Sequence, residues 1–382
     1  MKKFLAVLLA LWALASAALA DNVVKIGVYE PLSGDSGAGG KQEVLGMQYA
    51  NLKTPTVKIG GAEYKVELVY ADNGSSTDKA PSAAQHLVSE NVSVILGSYG
   101  SAVSIAGSQY FANAGIPAIG VTCTNPQVTA NNTHYFRICF LDPFQGVVLA
   151  NYAYKVQGAK TAYCLAELGN DYDVGLVHYF EEAFKALGGN VISDTFPTGN
   201  SDFTSYLTNA QMYGAEVFFC PVSLAYSTQI IAQAAGQGAE YPILGSDTLD
   251  SNKVVEAATG TNVSLVVSTF YQEGANPEFD EGFKAWLNSD SNAMKNNGGN
   301  DMISAVSVMG YDAYYVALEA LKAAGTTDSK AVNEALRGVT YAGVSGAIAF
   351  DETGDAIRDS AFLKSVDTAA GKWEFVAEQK VD

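Results

Sequence analysis

The stretch VVKIGVYEPLSGDSGAGGKQEVLGMQYA, residues 23–50, decides the fold. Its alternating apolar residues predict a strand at 23–29, and after a glycine-rich segment its pattern predicts a helix at 41–52. The same order recurs along the chain: further strands are predicted at 64–72, 92–97 and 116–121, and further helices at 77–90 and 101–114. This alternation predicts an α/β fold, a parallel sheet covered by helices on both faces.

A second series of similar size follows. Asp142 and Pro143 are predicted to be the N-cap and first-turn proline of its opening helix. Its strands are predicted at 161–166, 190–196, 215–220 and 241–245, and its helices near 172–188, 202–213, 225–238 and 250–259. Two consecutive series imply two similar lobes, each a parallel sheet flanked by helices.

Beyond residue 263 the pattern changes. It predicts a strand, a helix capped by Asn276, a mobile surface loop at 288–301 and a long buried helix. A tail of short strands follows, in which DETGD (351–355) predicts a β-turn. Because this tail comes after both lobes are built, several hinge crossovers are expected. The predicted division is 21–141 with 272–348 for lobe 1, and 142–271 with 349–382 for lobe 2.

The glycine-rich segment is not a nucleotide loop. In a Walker A motif the positions of the first glycine and the hydroxyl residue would be Asp35 and Gln42. The dinucleotide pattern fails as well, because Gly37 and Gly39 are followed by Gln42. An aspartate inside the cradle would also repel phosphate, so the glycines need another explanation.

The N-terminus predicts export. Residues 1–20 carry Lys2 and Lys3, an apolar core and a small-x-small end, which is typical of a signal peptide cleaved after Ala20. The exported chain would begin at Asp21, without a cysteine for lipid attachment. Loss of the two lysines takes the net charge from −18 to about −20, which disfavours nucleic acid and anionic lipid as partners.

Signatures of catalysis and of metal binding are missing. The sequence has no G-x-S-x-G, H-E-x-x-H or C-x-x-C motif, and His86, His134 and His178 lack metal-ligand spacing. We therefore expect no cofactor, no metal and no enzymatic activity. An oxidising compartment permits disulfides between the cysteines, although the sequence assigns no pairing; those in apolar runs, Cys164 and Cys220, are expected to be free thiols.

Polar residues follow the predicted strand ends, where ligands bind in open parallel sheets. Ser101 begins a helix, and Thr122 and Thr124 lie in the loop after the next strand. In the second series Tyr172 opens a helix and Asp247 follows a strand. Hydroxyl groups at a helix N-terminus can bind a carboxylate, and Asp247 can receive an ammonium group. Ordinary helix capping explains Ser101, Thr124 and Asp247 about as well.

Several longer stretches together resemble one family. They are the segment at 26–50, IPAIGVTCTNPQVT (116–129), YFRICFLDPFQG (135–146), MGYDAYY (309–315) and GAIAFDETGD (346–355). In order and spacing they resemble the solute-binding proteins of branched-chain amino-acid ABC importers, the leucine/isoleucine/valine-binding group of type I periplasmic binding proteins. The resemblance covers essentially the whole exported chain. It implies a monomeric periplasmic receptor, closing like a flytrap on an amino acid, with membrane permease subunits as partners.

The resemblance also implies roles for single residues. Ser101 and Thr124 would hold the carboxylate of the solute with help from the main chain of Thr122, Asp247 would bind the ammonium group, and Tyr172 would close over the solute. The glycine-rich segment would be a loop that lines the cleft mouth.

The departures from the family lie around the solute side chain. They are Gly39 where an aromatic residue is frequent, Tyr99 where an aliphatic residue is common, and Ser223 with Tyr226 in place of a Gly-Gly-Tyr-like turn. A larger or more polar side chain than that of leucine is therefore expected. The alternatives are a sensor of the same fold, a receptor for amides, urea or other small solutes, and an exported enzyme.

Overall fold

The computed structural model describes residues 22–380, so the predicted signal peptide and the start at Asp21 lie outside the described residues. The first sheet is six-stranded, in the order β2-β3-β1-β4-β5-β6. Its strands are β1 (Val23–Glu30), β2 (Thr56–Ile59), β3 (Ala62–Asp72), β4 (Val94–Leu96), β5 (Ala118–Gly120) and β6 (Tyr135–Arg137). All neighbours are parallel except β2 and β3. The predicted parallel sheet is confirmed, whereas β2 and β6 were not predicted.

The second sheet is seven-stranded, in the order β15-β14-β11-β10-β9-β7-β8. Its strands are β7 (Thr161–Glu167), β8 (Asn190–Phe196), β9 (Val217–Phe219), β10 (Ile243–Gly245), β11 (Leu265–Thr269), β14 (Ser360–Asp367) and β15 (Lys372–Lys380). The strands from β7 to β11 are parallel, and β14 and β15 add an antiparallel edge. The hairpin of β12 (Thr340–Gly343) and β13 (Gly346–Ala349) stands apart. The α/β class with two similar lobes is therefore confirmed.

Helices connect the strands and cover both sheets. They are α1 (Gly37–Lys53), α2 (Ala80–Ser89), α3 (Ser101–Ala114), α4 (Asp142–Asn151), α5 (Asp171–Ala186), α6 (Thr204–Met212), α7 (Leu224–Gln237), α8 (Asn252–Ala258), α9 (Pro277–Ser289), α10 (Ser291–Asn296), α11 (Ala305–Ala324) and α12 (Ser329–Leu336). A π-helical turn, Tyr152–Val156, extends α4.

Late segments of the chain return to the first sheet. Glycines let α11 approach α1, because a Cβ atom at Gly46 or Gly310 would collide with the backbone of the facing helix. Tyr49 of α1 also packs against the rings of Phe283 and Trp286 in α9. By contrast, β14 and β15 join the second sheet. On this packing we propose the lobe boundaries at 141/142, 271/272 and 348/349.

Three local predictions are wrong. The glycine-rich segment is not all loop, because α1 begins at Gly37. Asp142 is not an N-cap; it lies inside α4, and Leu141 is the capping residue. The predicted loop at 288–301 contains α10, and Asn297 is fully buried, with its amide group donating to the carbonyl groups of Asn300 and Met302.

Other local predictions are confirmed. Asn276 caps α9 by accepting a hydrogen bond from the N–H of Phe279, and the DETGD turn closes with a hydrogen bond from Gly354 to Asp351. Cys164 and Cys220 are buried free thiols, as are the two remaining cysteines.

Candidate functional site

A cavity of about 70 Å³ lies where the carboxyl ends of the two sheets face each other. From the first sheet, the segments after β4 and β5 contribute Tyr99, Ser101 and Thr122. From the second sheet, Tyr172 and Ser223 reach it. The cavity is therefore built by both lobes, in the crevice that open parallel sheets use for ligands.

The first-lobe wall is the start of α3 together with the loop after β5. Gly100 is the N-cap of α3, so Ser101 does not cap it; its Oγ instead accepts a hydrogen bond from the N–H of Asn125 at 3.2 Å. Thr122 lines the cavity, and its Oγ1 donates to Glu43. Thr124 Oγ1 is buried without a hydrogen-bond partner. Free N–H groups at the start of a helix favour a negatively charged or carbonyl oxygen here.

Arg137 stabilises this loop through hydrogen bonds to its backbone. It is fully buried, and its Nη1 donates to the carbonyl oxygens of Cys123 at 2.9 Å and Asn125 at 2.5 Å. Its Nε donates to Asp355 at 2.6 Å, in the chain segment that crosses back towards the second sheet. No sequence pattern identified this residue, because its carboxylate partner Asp355 is 218 positions along the chain and a lone arginine after two aromatic residues carries no motif.

Asp247 lies directly behind Tyr172 on the second-lobe wall and is not itself a lining residue. Its Oδ1 accepts hydrogen bonds from the Tyr172 hydroxyl at 2.7 Å and from Gln145 Nε2 at 2.6 Å, whereas its Oδ2 has no partner. Asp247 does not cap α8, because the N-cap of that helix is Ser251. The capping explanation is therefore wrong, and a buried carboxylate oxygen remains free to accept a donor.

Burial controls the charges around the cavity. It raises the pKa of Asp247 to about 6, although the hydrogen bonds from Tyr172 and Gln145 oppose the shift. Burial also raises the pKa of Glu43, and it raises the pKa of Asp142 to about 8. At pH 7 the Asp247 carboxyl group is therefore mostly ionised, whereas Asp142 is mostly protonated. A negative charge thus lies directly behind Tyr172, where it would attract an ammonium group.

Hydrogen bonds cross the cleft and hold the lobes together. The Tyr99 hydroxyl donates to the carbonyl oxygen of Thr248 at 3.2 Å, and Gln42 Nε2 donates to Asn252 at 3.2 Å. This is a closed conformation. Asp247 is accordingly only 2% exposed in this state.

The remaining predicted site residues lie at different depths. Ser223 lines the cavity, and its Oγ is buried without a partner. Gly39 is in the first turn of α1 and lies behind the ring of Tyr99 rather than on the cavity wall. Gly34 and Gly37 line an outer groove with Ser251 and Asn252 of the other lobe, which is where the sequence placed the glycine-rich segment.

Within residues 22–380 the structure shows neither a candidate metal site nor a helix that could span a membrane. This part of the chain contains no cluster of histidine, cysteine or acidic side chains that could hold a metal ion. None of its helices is long and apolar enough to cross a membrane.

Known proteins are similar to this chain in sequence and in fold. The family model described as "Periplasmic binding protein" matches residues 23–372. "Leu/Ile/Val-binding protein homolog 3" of Brucella melitensis biotype 1 is 30% identical over 356 residues, which are 89% of this chain and 90% of that protein.

Solved structures agree with that match. The crystal structure of a leucine binding protein from Thermotoga maritima MSB8 has a TM-score of 0.84 and 32% identity, covering 94% of this chain and 99% of that one. The branched-chain amino acid transporter substrate binding protein LivJ from Streptococcus pneumoniae, in complex with isoleucine, has a TM-score of 0.81 and 25% identity, covering 94% and 99%.

Proposed function

Since the chain belongs to the periplasmic binding protein family, we propose that it is the solute-binding receptor of an ABC importer for an amino-acid-type solute. The lobes would close over the solute in the cleft, and the closed receptor would deliver it to the permease subunits in the membrane. Closure follows from binding because the closed state has contacts that an open state lacks.

One observation supports this proposal above all: the two walls of the interlobe cavity carry opposite chemistry. The wall with Ser101, Thr122 and the start of α3 offers donors to a carboxylate. Behind Tyr172 on the opposite wall, Asp247 carries an unpartnered carboxylate oxygen that would bind an ammonium group. An α-amino acid carries both groups, so we propose these residues as its ligands, with Thr124 and Ser223 in supporting positions.

The finer cellular description belongs to the same proposal. Cleavage after Ala20 would release a soluble chain into the periplasm, where it would act as a monomer. The site has the arrangement of a binding site rather than of a catalytic centre. This supports a protein that binds its solute without converting it.

A thermal-shift screen tests the proposal. The panel holds the amino acids, short amides, urea and small carboxylates. At one hundred times its Kd, a ligand of the folded state stabilises it by about 2.7 kcal/mol. For a chain of this size we expect a rise in Tm of roughly 3–8 °C. If no amino acid or amide shifts the melting curve, or if the solute is consumed, the proposal is wrong.

A further inference from the structure

The interlobe cavity is small. Its volume of about 70 Å³ is roughly half that of the 150 Å³ cavity that holds a benzene ring in an engineered protein. By the same proportion it accommodates about three heavy atoms, or up to about five if the walls adjust slightly. The isobutyl side chain of leucine alone would fill this space and leave none for its carboxyl and amino groups.

Tyr99 makes the cavity small. Its ring takes the space opened by Gly39, where an added Cβ atom would lie 2.5 Å from the ring. The position of the ring is fixed at both ends: Glu30 accepts the backbone N–H of Tyr99 at 2.7 Å, and the hydroxyl group reaches across to Thr248. Only 6% of Tyr99 is exposed. The ring therefore fills a space where an aliphatic side chain of a solute could lie.

The walls are polar and carry buried oxygen atoms without hydrogen-bond partners. Among the described residues the lining is rich in hydroxyl groups, and its apolar members are Pro31, Ala102 and Val103. Oxygen atoms without a partner lie on or directly behind the second-lobe wall: Ser223 Oγ and Asp173 Oδ1 belong to lining residues, and Asp247 Oδ2 lies behind Tyr172. Since buried polar atoms are nearly always hydrogen-bonded, these atoms indicate a solute that brings N–H groups.

We propose that the solute is a small carbonyl compound rich in N–H groups, of about three to five heavy atoms, and not a branched-chain amino acid. A carboxyl or carbonyl oxygen lies at Ser101 and Thr122, and N–H groups donate to Asp247 and Ser223. A glycine-sized amino acid and an amide of the same size both have this chemistry. This inference rests on the proposed function and narrows its substrate class.

Calorimetric titration of the exported chain tests the size and the donors separately. The small probes are glycine, alanine, acetamide and urea. Leucine and isoleucine test the size limit, and acetate is a small carboxylate that lacks N–H groups. We expect at least one small N–H compound to bind, with leucine and isoleucine at least about tenfold weaker. Acetate should give no measurable heat. Preference for glycine or for acetamide then distinguishes a zwitterion from a neutral amide.

The Tyr99 ring provides the matched variants. Tyr99→Ala opens the space and should improve leucine binding at least about tenfold, whereas Tyr99→Phe keeps the ring and should keep the wild-type ranking. A thermal melt checks that each variant folds. If Tyr99→Ala does not fold, the titrations of the wild-type protein still test the inference.

The outcomes separate the two proposals. If leucine or isoleucine binds wild-type protein more tightly than every small compound, or if acetate binds as well as glycine, the inference is overturned and the receptor function stands. If no amino acid or amide binds at all, the proposed function fails and the inference fails with it.

Discussion

Replacing Asp247 by asparagine tests the second-lobe wall most sharply. The change keeps the shape of the side chain and its ability to accept from Tyr172 and Gln145, and it removes the negative charge. The carboxylate is 2% exposed, so an ammonium group bound there is desolvated along with it. Loss of one partner from such a pair costs about 2–5 kcal/mol, which is roughly a 30- to 5,000-fold rise in Kd.

Although Asp247→Asn should bind the solute more weakly, its stability without solute should be unchanged or higher. Burial raises the pKa of Asp247 to about 6, above its ordinary value, so the folded state prefers the protonated form. The contribution of this group to stability is full below the ordinary carboxyl pKa and is lost as the pH rises through about 6. At pH 7 the ionised carboxylate therefore destabilises the ligand-free closed state. The free variant should melt at the same temperature as the wild type or higher.

Asp280 provides the matched control. It is also a buried aspartate that accepts a tyrosine hydroxyl, from Tyr271 at 2.7 Å, but it lies in α9 away from the cleft. Asp280→Asn should leave the affinity within about twofold of wild type. Calorimetric titration and thermal melting of both variants are the assays. Wild-type affinity in Asp247→Asn for an amino acid would refute the assigned role.

Further expectations concern the stabilising role of Arg137, the pH dependence and the closed state. Arg137→Met leaves Asp355 buried and unpaired and should lower the free energy of unfolding by about 3–5 kcal/mol, measured by urea denaturation; a change below 1 kcal/mol would contradict that role. Affinity for an amino acid should fall about tenfold per pH unit below pH 6 as Asp247 is protonated, whereas a flat titration series would favour a neutral amide. Tyr226→Phe removes the cross-lobe hydrogen bond to Asp35 and should speed solute release roughly fivefold in stopped-flow measurements, while Tyr213→Phe at the surface should not.

Much of the fold could be read from local patterns. The predicted bounds of α3 and of β8 coincide with the structure, because each is set by its own apolar spacing and by the turn residues at its ends. Ser101 and Thr122 could be placed at the cleft for the same reason: each follows a strand whose carboxyl end is easily located. β6 was missed although β4, β5, β9 and β10 are equally short and were predicted, because Arg137 interrupts the apolar run from Tyr135 to Phe140.

The parts of the site that sequence reasoning missed depend on long-range contacts. Gln145 bonds to a residue 102 positions away, and Arg137 bonds to one 218 positions away. Glu43 looks like an ordinary polar residue of a helix surface, yet it is completely buried because α11 covers α1. The closed state could not be predicted either, since its hydrogen bonds join residues of different lobes.

X-ray scattering with and without a saturating solute tests the central claim, that two lobes close on a bound solute, most directly. The solute is the tightest binder among the amino acids and amides of the titration panel. The closed state has hydrogen bonds across the cleft, such as that from Tyr99 to Thr248, that an open state lacks. We predict a smaller radius of gyration with the solute present. The same radius in both samples, at concentrations where calorimetry shows full occupancy, would contradict capture by lobe closure.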